Sequence, residues 1–188
     1  MGALFCCMKG DTMKYELTDC TAVRPADIEE IMAEFEASGE FCNALWRASE
    51  IGAMAWIEEM KAEEADGSRH EYVLGFFVGD TMAGVARVTP HPNHDANGNV
   101  GYYLRPSFRG ARYGPILLHL IEDFCIENSI EDANAVTAVR NKASMKTLAV
   151  AGWTPTGRAF VWRSAYNTRN ALEFRPARLS DLHERRGG

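Results

Sequence analysis

The chain has 188 residues, of which 46% are hydrophobic and 24% charged, and this is the composition of an ordinary globular domain. Its length suits one domain with a sizeable core, and no apolar run approaches the roughly 18 residues that a membrane-spanning helix requires. A formal net charge of −6 without a long basic stripe argues against nucleic acid as a partner.

The first residues, MGALFCCMKG, show no hydrophobic period, and we interpret 1–15 as a loose N-terminal extension. The segment lacks the basic start and the small-residue cleavage site of a secretory signal. The five cysteines show neither a CxxC pair nor the spacing of a disulfide framework. We therefore expect reduced thiols, a cytoplasmic location, no structural metal and no membrane partner.

Two helical segments follow. The first is predicted to begin at Pro25, which suits the first turn of a helix, and to end at Gly39. Its core-facing residues recur three or four apart: Ile28, Ile31, Met32 and Phe35. The second covers about 41–64 and is broken by Gly67-Ser68. Its predicted core positions are Leu45, Ile51, Ala55, Trp56 and Met60.

The second half of the chain is predicted to alternate strands with helices. Strands at 72–78 and 82–88 flank a tight hairpin turn, and a loop rich in turn-forming residues leads to a strand at 99–105. A helix at 113–127, a strand at 133–139, a helix at 142–151 and a last strand or hairpin at 154–163 follow. We interpret 166–188 as a basic C-terminal tail. This order predicts one α/β (α+β) domain over 16–165, with a mixed sheet and one parallel crossover.

Charge divides unevenly along the chain. Residues 1–100 carry 7 basic and 18 acidic side chains, a net −11, whereas residues 101–188 carry 13 and 8, a net +5. Eleven of the basic residues in the second half are arginines, which bind phosphate bidentately. The division indicates an anionic ligand for the second half and a cationic one for the first.

The turn RPSFRGARYG, at 105–114, lies between the predicted strand at 99–105 and the helix at 113–127. Glycine lets an anion approach the backbone, and the start of a helix presents unpaired N–H groups at its positive end. Anion binding is therefore one interpretation, and a surface turn with solvated arginines is the other. The run fits neither the Walker loop, which needs GxxxxGK[ST], nor the GxGxxG of a dinucleotide fold.

The run GYYLRPSFRGARYG resembles the acetyl-CoA signature of the GNAT superfamily of N-acyltransferases, R/Q-x-x-G-x-G/A. Arg109 and Gly114 match its ends, and Arg112 stands in place of its central glycine. Downstream, RNKASMKTLAVAGW resembles the next motif of the family, an Asn-x-x-Ser/Ala helix that ends in glycine and an aromatic residue. Asn141, Ser144, Gly152 and Trp153 match that pattern.

The resemblance implies a single GNAT-like domain whose sheet is mixed, mostly antiparallel and flanked by helices, with its fourth and fifth strands splayed apart. The pantetheine arm of acetyl-CoA, the co-substrate, would lie between those strands, and the turn would hold its diphosphate. Arg112 could either assist this binding or block it. The cofactor-binding residues implied are Leu104, Arg105, Arg109, Gly110, Ala111, Arg112, Tyr113, Gly114, Asn141 and Ser144.

The activity implied is acetyl transfer to a primary amine without a covalent enzyme intermediate. Many members of the family use a glutamate at the start of the fourth strand as the base, and Asn99 stands there. Many use a tyrosine seven residues after the motif asparagine as the acid, and Leu148 stands there. Our candidates are therefore His94, His91 and Tyr103, for which solvated loop positions and core packing are the alternatives.

The acceptor is expected to be a small-molecule or peptide amine. In the family the first two helices line the acceptor side of the cleft. In this chain that region carries Glu36, Glu40 and Glu50, and these acidic residues predict a cationic acceptor. These glutamates could equally just keep the helices in solution. Two other functions stay open, namely a catalytically degenerate CoA-binding protein that senses or scaffolds, and a phosphate-binding module unrelated to CoA. A homodimer is also left open.

Overall fold

The computed structural model describes residues 4–6, 13–39, 42, 44–90, 99–164 and 167–178. Its strands are β1 (Leu4–Cys6), β2 (Tyr15–Asp19), β3 (Tyr72–Val78), β4 (Thr81–Val88), β5 (Val100–Leu104), β6 (Ala135–Ala138), β7 (Trp153–Ser164) and β8 (Asn167–Pro176). Its helices are α1 (Pro25–Ser38), α2 (Trp46–Ile51), α3 (Ala53–Asp66), α4 (Tyr113–Glu127) and α5 (Lys142–Val150). None of the helices in this described part has the length and apolar character needed to cross a membrane.

The first helix forms where the sequence predicts it. Pro25 occupies its first turn, and Gly39 closes it in the left-handed conformation with φ +62°. The apolar residues predicted for the core are all buried: Ile28, Ile31, Met32 and Phe35. Local signals therefore determine both ends of α1 and the face that it buries.

The predicted helix at 41–64 is two helices. Gly52 separates α2 from α3 with φ +87° and ψ +150°, a conformation that only glycine adopts readily. Leu45, Trp56 and Met60 are buried as predicted, but Ala55 is exposed and the prediction for it is wrong. Ile57 takes the buried position beside Trp56 instead.

Eight strands in the described residues form one mixed sheet, in the order β1-β2-β3-β4-β5-β6-β8-β7. Antiparallel pairing joins β1 to β2, β2 to β3, β3 to β4, β6 to β8 and β8 to β7. The parallel pairing of β5 with β6 is confined to Val100 and Ala135. A splay of these two strands is what the family resemblance implies, and it stays an expectation.

Two corrections concern the ends of the domain. Leu4–Cys6 lies within the predicted loose extension but pairs with β2, and both β1 and β2 escaped prediction because short edge segments carry little periodicity. The predicted tail is wrong for Asn167–Pro176, which forms β8 between β6 and β7. The sheet therefore extends beyond the predicted limits of 16 and 165.

The chain forms two compact units, residues 1–90 with 101–113, and residues 91–100 with 114–188. In the first unit, α1 and α3 pack their apolar faces on β3, β4 and β5, and the shared core includes Phe35, Trp56, Val73, Val85 and Tyr103. In the second unit, α4 buries the residues that its period predicts: Leu117, Leu120, Ile121, Phe124 and Cys125.

Candidate functional site

The turn between β5 and α4 opens with a tight 3₁₀ segment, Pro106–Phe108. Within it, the N–H of Phe108 donates to the carbonyl of Arg105 at 2.9 Å, and that of Arg109 donates to Pro106 at 3.2 Å. Gly110 follows in the left-handed region with φ +77°, and a Cβ built there meets no atom within 4 Å. Glycine is required here by conformation, and the backbone at this point faces open space.

The motif residue Arg109 folds back on its own strand. Its Nε donates to the carbonyl oxygen of Leu104 at 2.8 Å, and its guanidinium carbon lies 5.2 Å from the ring centre of Tyr103. The guanidinium therefore stabilises the end of β5, both by this hydrogen bond and by a cation–π contact.

Arg105 is buried, with 7% of its surface exposed, although it was predicted to bind the cofactor. Its Nε donates to Glu34 at 2.9 Å, and its Nη2 donates both to Glu34 and to Glu30, the latter at 2.6 Å. Its Nη1 donates to the carbonyl of Met82 at 3.2 Å. The hydrogen bonding of Arg105 to the carboxylate of Glu34 raises the pKa of Arg105 against the opposing effect of burial, and it lowers the pKa of Glu34. The Nε, Nη1 and Nη2 atoms thus all have acceptors inside the fold, and a contact of Arg105 with the cofactor stays a prediction.

The end of the turn is fixed by aromatic packing. The ring of Tyr113, the first residue of α4, lies 6.3 Å from that of Tyr15 in a tilted arrangement and 5.5 Å from that of Phe108 in an edge-on one. Ala111 and Arg112 are exposed just before it, and Gly114 is buried in the first helical turn. The N–H groups of a first helical turn have no partner within their helix, and here they follow an open glycine and an exposed arginine.

Asn141, the first residue of the second motif, caps α5. Its side-chain oxygen accepts a hydrogen bond from the backbone N–H of Ser144 at 3.1 Å, which explains why asparagine stands at the start of the helix. Asn141 itself is exposed. Because the side-chain oxygen of Asn141 already accepts this hydrogen bond, the group that Asn141 offers to a ligand is its side-chain NH₂, which is a donor. Asn141 belongs to the second compact unit, and residues 104–113 of the turn belong to the first.

Asn99 is a structural residue. It is fully buried, and it exchanges hydrogen bonds with Asn134: each side-chain oxygen accepts from the other residue's backbone N–H, at 2.7 and 2.6 Å. Its amide also donates to the carbonyl of Asp132 at 2.7 Å, and Asn134 donates to the buried Glu173 at 2.8 Å. This network ties the start of β5 to the residues that precede β6. Two asparagines at the starts of two predicted strands, Asn99 and Asn134, were the signal that could have revealed it.

The other catalytic and acceptor-side candidates fall into three groups. His91, His94 and Glu40 lie outside the described residues. Tyr103 is 4% exposed and packs edge-on against Phe35, with ring centres 5.3 Å apart, as the core-packing alternative requires. The remaining two glutamates, Glu36 and Glu50, are exposed, and the carboxylate of Glu50 lies 3.6 Å from Arg47.

Leu148 and the thiols of Cys20 and Cys125 add no catalytic group. Leu148 is fully buried in α5. Burial raises the pKa of the Cys125 thiol to about 12, and burial also raises that of Cys20, so neither supplies a thiolate near neutrality. Among the described residues no group of three or more histidine, cysteine or acidic side chains could hold a metal ion.

Comparison with known proteins adds independent information. A sequence profile of the acetyltransferase (GNAT) domain matches residues 21–154. A search of curated proteins found no significant match.

Solved structures of acetyltransferases superpose on most of the chain. The Salmonella typhimurium enzyme that modifies the N-terminal serine of ribosomal protein L7/L12 gives a TM-score of 0.64 at 16% identity, over 87% of this chain and 94% of its own. YncA from the same organism, described as a putative acetyltransferase and solved with acetyl-CoA, gives 0.57 at 16% over 85% and 91%. The microcin C7 self-immunity acetyltransferase MccE, solved with acetyl-CoA and AMP, gives 0.60 at 13% over 88% and 92%. At these identities the likeness establishes the fold.

Proposed function

The chain belongs to the family of GNAT acetyltransferases, and from this premise we propose that it transfers the acetyl group of acetyl-CoA to a primary amine. The observation that carries the proposal is the turn between β5 and α4. An open left-handed glycine, an exposed arginine and the N-terminus of a 15-residue helix follow one another there, within the motif that the family uses for the diphosphate.

In this proposal the diphosphate of acetyl-CoA is held by the backbone of residues 110–114, and Arg112 adds positive charge. Leu104 and the end of β5 line the pantetheine arm, and Asn141 donates its amide from the cap of α5. Arg105 contributes by holding the strand end rather than by contacting phosphate, whereas Arg109 holds that end through its Nε and stays a candidate contact for the cofactor. Acetyl-CoA is the co-substrate, and two structural neighbours of the same fold were solved with it.

The reaction proposed is direct attack in a ternary complex. The neutral amine nitrogen forms a bond to the acetyl carbonyl carbon, the carbon–sulfur bond breaks, and CoA leaves as a thiolate that takes up a proton. The amine proton passes to a base, for which His94 and then His91 are our candidates. An acceptor that is a peptide or small-molecule amine is supported by neighbours of this fold, one of which modifies a protein N-terminus. A cytoplasmic location fits such acceptors.

A second candidate, a CoA-binding protein without catalysis, is favoured by one specific observation. Asn99 stands at the position where many members of the family carry the glutamate that acts as the catalytic base. Both the side-chain oxygen and the amide group of Asn99 are used inside a buried network. The residue can neither accept a proton nor turn towards a substrate without breaking that network.

Two measurements test the proposal. Thermal denaturation with CoA, ATP and NAD asks whether the fold binds its co-substrate, and we expect stabilisation by CoA alone, because a ligand that binds the native state raises its apparent stability. Release of free thiol from acetyl-CoA across a broad amine panel then separates the two candidates. Thiol release with any amine supports the enzyme, and CoA binding without release supports the second candidate.

A further inference from the structure

The side chain of Arg105 joins three elements of the first compact unit. It leaves the end of β5, donates to two glutamates of α1, and reaches the carbonyl of Met82 in β4. Its backbone N–H also donates to the carbonyl of Ala83 at 2.9 Å. We call this set, with Glu30 and Glu34, the Arg105 clamp.

The contacts of the clamp hold the Arg105 side chain in one position. A buried guanidinium is costly unless its donors are satisfied, and the planar fork suits several oxygen acceptors at once. Here the Nε, Nη1 and Nη2 atoms all have acceptors in the fold. The side chain therefore has little freedom to leave this position and bind a ligand.

The clamp acts where the cofactor turn begins. Arg105 directly precedes Pro106–Phe108, and its carbonyl accepts the hydrogen bond from Phe108 that closes that 3₁₀ segment. One residue earlier, the carbonyl of Leu104 is held by Arg109. Arg105 thus ties the start of the turn to α1 and β4.

We propose that Arg105 is a positioning residue for CoA: by fixing the end of β5 to α1 and β4, it sets where the diphosphate-binding backbone lies. This inference rests on the proposed function. It assigns to Arg105, at the start of the turn, a role without phosphate contact. It also links the cofactor turn to a helix that, in the family, lines the acceptor side of the cleft. Loss of the clamp lowers CoA affinity through geometry and not through charge.

The test measures CoA affinity by calorimetry for Arg105→Met and Arg105→Lys at low and high ionic strength. Both variants should bind CoA about tenfold more weakly or worse, since small misplacements of a binding group can cost up to about a hundredfold. Lysine should fail to rescue, because one ammonium cannot reach Glu30, Glu34 and Met82 together. The dependence of affinity on salt should match the wild type.

A second pair of variants tests the proposal even if Arg105→Met does not fold. Glu34→Gln weakens the clamp but keeps the arginine, and Glu29→Gln removes the same charge from an exposed position on the same helix. CoA affinity should fall for Glu34→Gln and not for Glu29→Gln.

Three results would overturn the inference. Wild-type affinity in folded Arg105→Met would make the clamp merely structural. A reduced salt dependence in that variant would indicate direct phosphate contact, and equal affinities for Glu34→Gln and Glu29→Gln would also contradict the proposal. A wild-type protein that does not bind CoA would instead contradict the proposed function, and this is measured before any variant is compared.

Discussion

At the residue scale, three arginines that look alike in RPSFRGAR have different surroundings. Arg105 is buried in an ion-pair cluster, Arg109 lies over the ring of Tyr103, and Arg112 is exposed. The sequence could predict that arginine belongs in this turn, because anion binding favours it. It could not separate the three, because the partners of Arg105 lie 71 and 75 residues away in the chain.

Arg112 is predicted to assist CoA binding. Arg112→Gly should leave CoA affinity equal or lower and make it less sensitive to salt, since one cation is lost near the diphosphate. Calorimetry over a range of ionic strength measures both quantities, with Lys61→Ala as a charge-matched control on α3. A gain in affinity of about tenfold, or about 1.4 kcal/mol, would show that Arg112 obstructs the site.

Asn99 is predicted to serve stability rather than catalysis. Asn99→Asp removes the amide that donates to Asp132 and sets a carboxylate against that carbonyl, so it should lower the free energy of unfolding by about 1–3 kcal/mol. Chemical denaturation measures this change, and Asn170→Asp at an exposed strand position is the control. A variant as stable as the wild type that releases thiol faster would refute the structural role.

At the element scale, segments with local signals were predicted well. The bounds of α4 and β3 agree with the prediction, and Pro25 and Gly39 delimit α1. The strands β1, β2 and β8 were missed, because their placement depends on pairing with distant strands rather than on local periodicity. The break at Gly52 was missed because a single glycine inside a helical pattern is usually tolerated.

Asn141 is predicted to have two separable roles, as the cap of α5 and as a donor to CoA. Asn141→Asp keeps the oxygen that accepts from Ser144 and should preserve stability, but it replaces the donor by a negative charge and should weaken CoA binding.

Asn141→Ala removes both groups and should also lower the free energy of unfolding by about 1 kcal/mol. Denaturation and calorimetry on the two variants separate the roles. Unchanged CoA affinity in both variants would restrict Asn141 to capping.

At the scale of the whole molecule, the division of charge is the feature that the fold explains least. The residues up to 100 carry a net −11, while those from 101 carry +5 and include the turn from Arg105 to Gly114. The structure explains part of the excess acidity through Glu30 and Glu34, which pair with Arg105 from the basic half. The sequence motifs predict the family and the turn. They do not predict which residues bind the acceptor or act as the base, because these roles depend on the three-dimensional positions of side chains.

A cationic acceptor is predicted from this charge. For a polyamine-like or aminoglycoside-like acceptor, KM should rise with ionic strength, because salt screens the attraction to acidic residues such as Glu36. Initial rates at saturating acetyl-CoA measure KM, and a neutral amine of similar size is the control. If the best acceptor is an acidic amino acid or peptide, the prediction is wrong.

The central claim is acetyl transfer from acetyl-CoA to an amine, and release of free thiol in the presence of an amine panel tests it most directly. We expect thiol release that depends on one class of amine and is matched by an acceptor that gains one acetyl group in its mass spectrum. Binding of CoA without thiol release from any amine would contradict the claim.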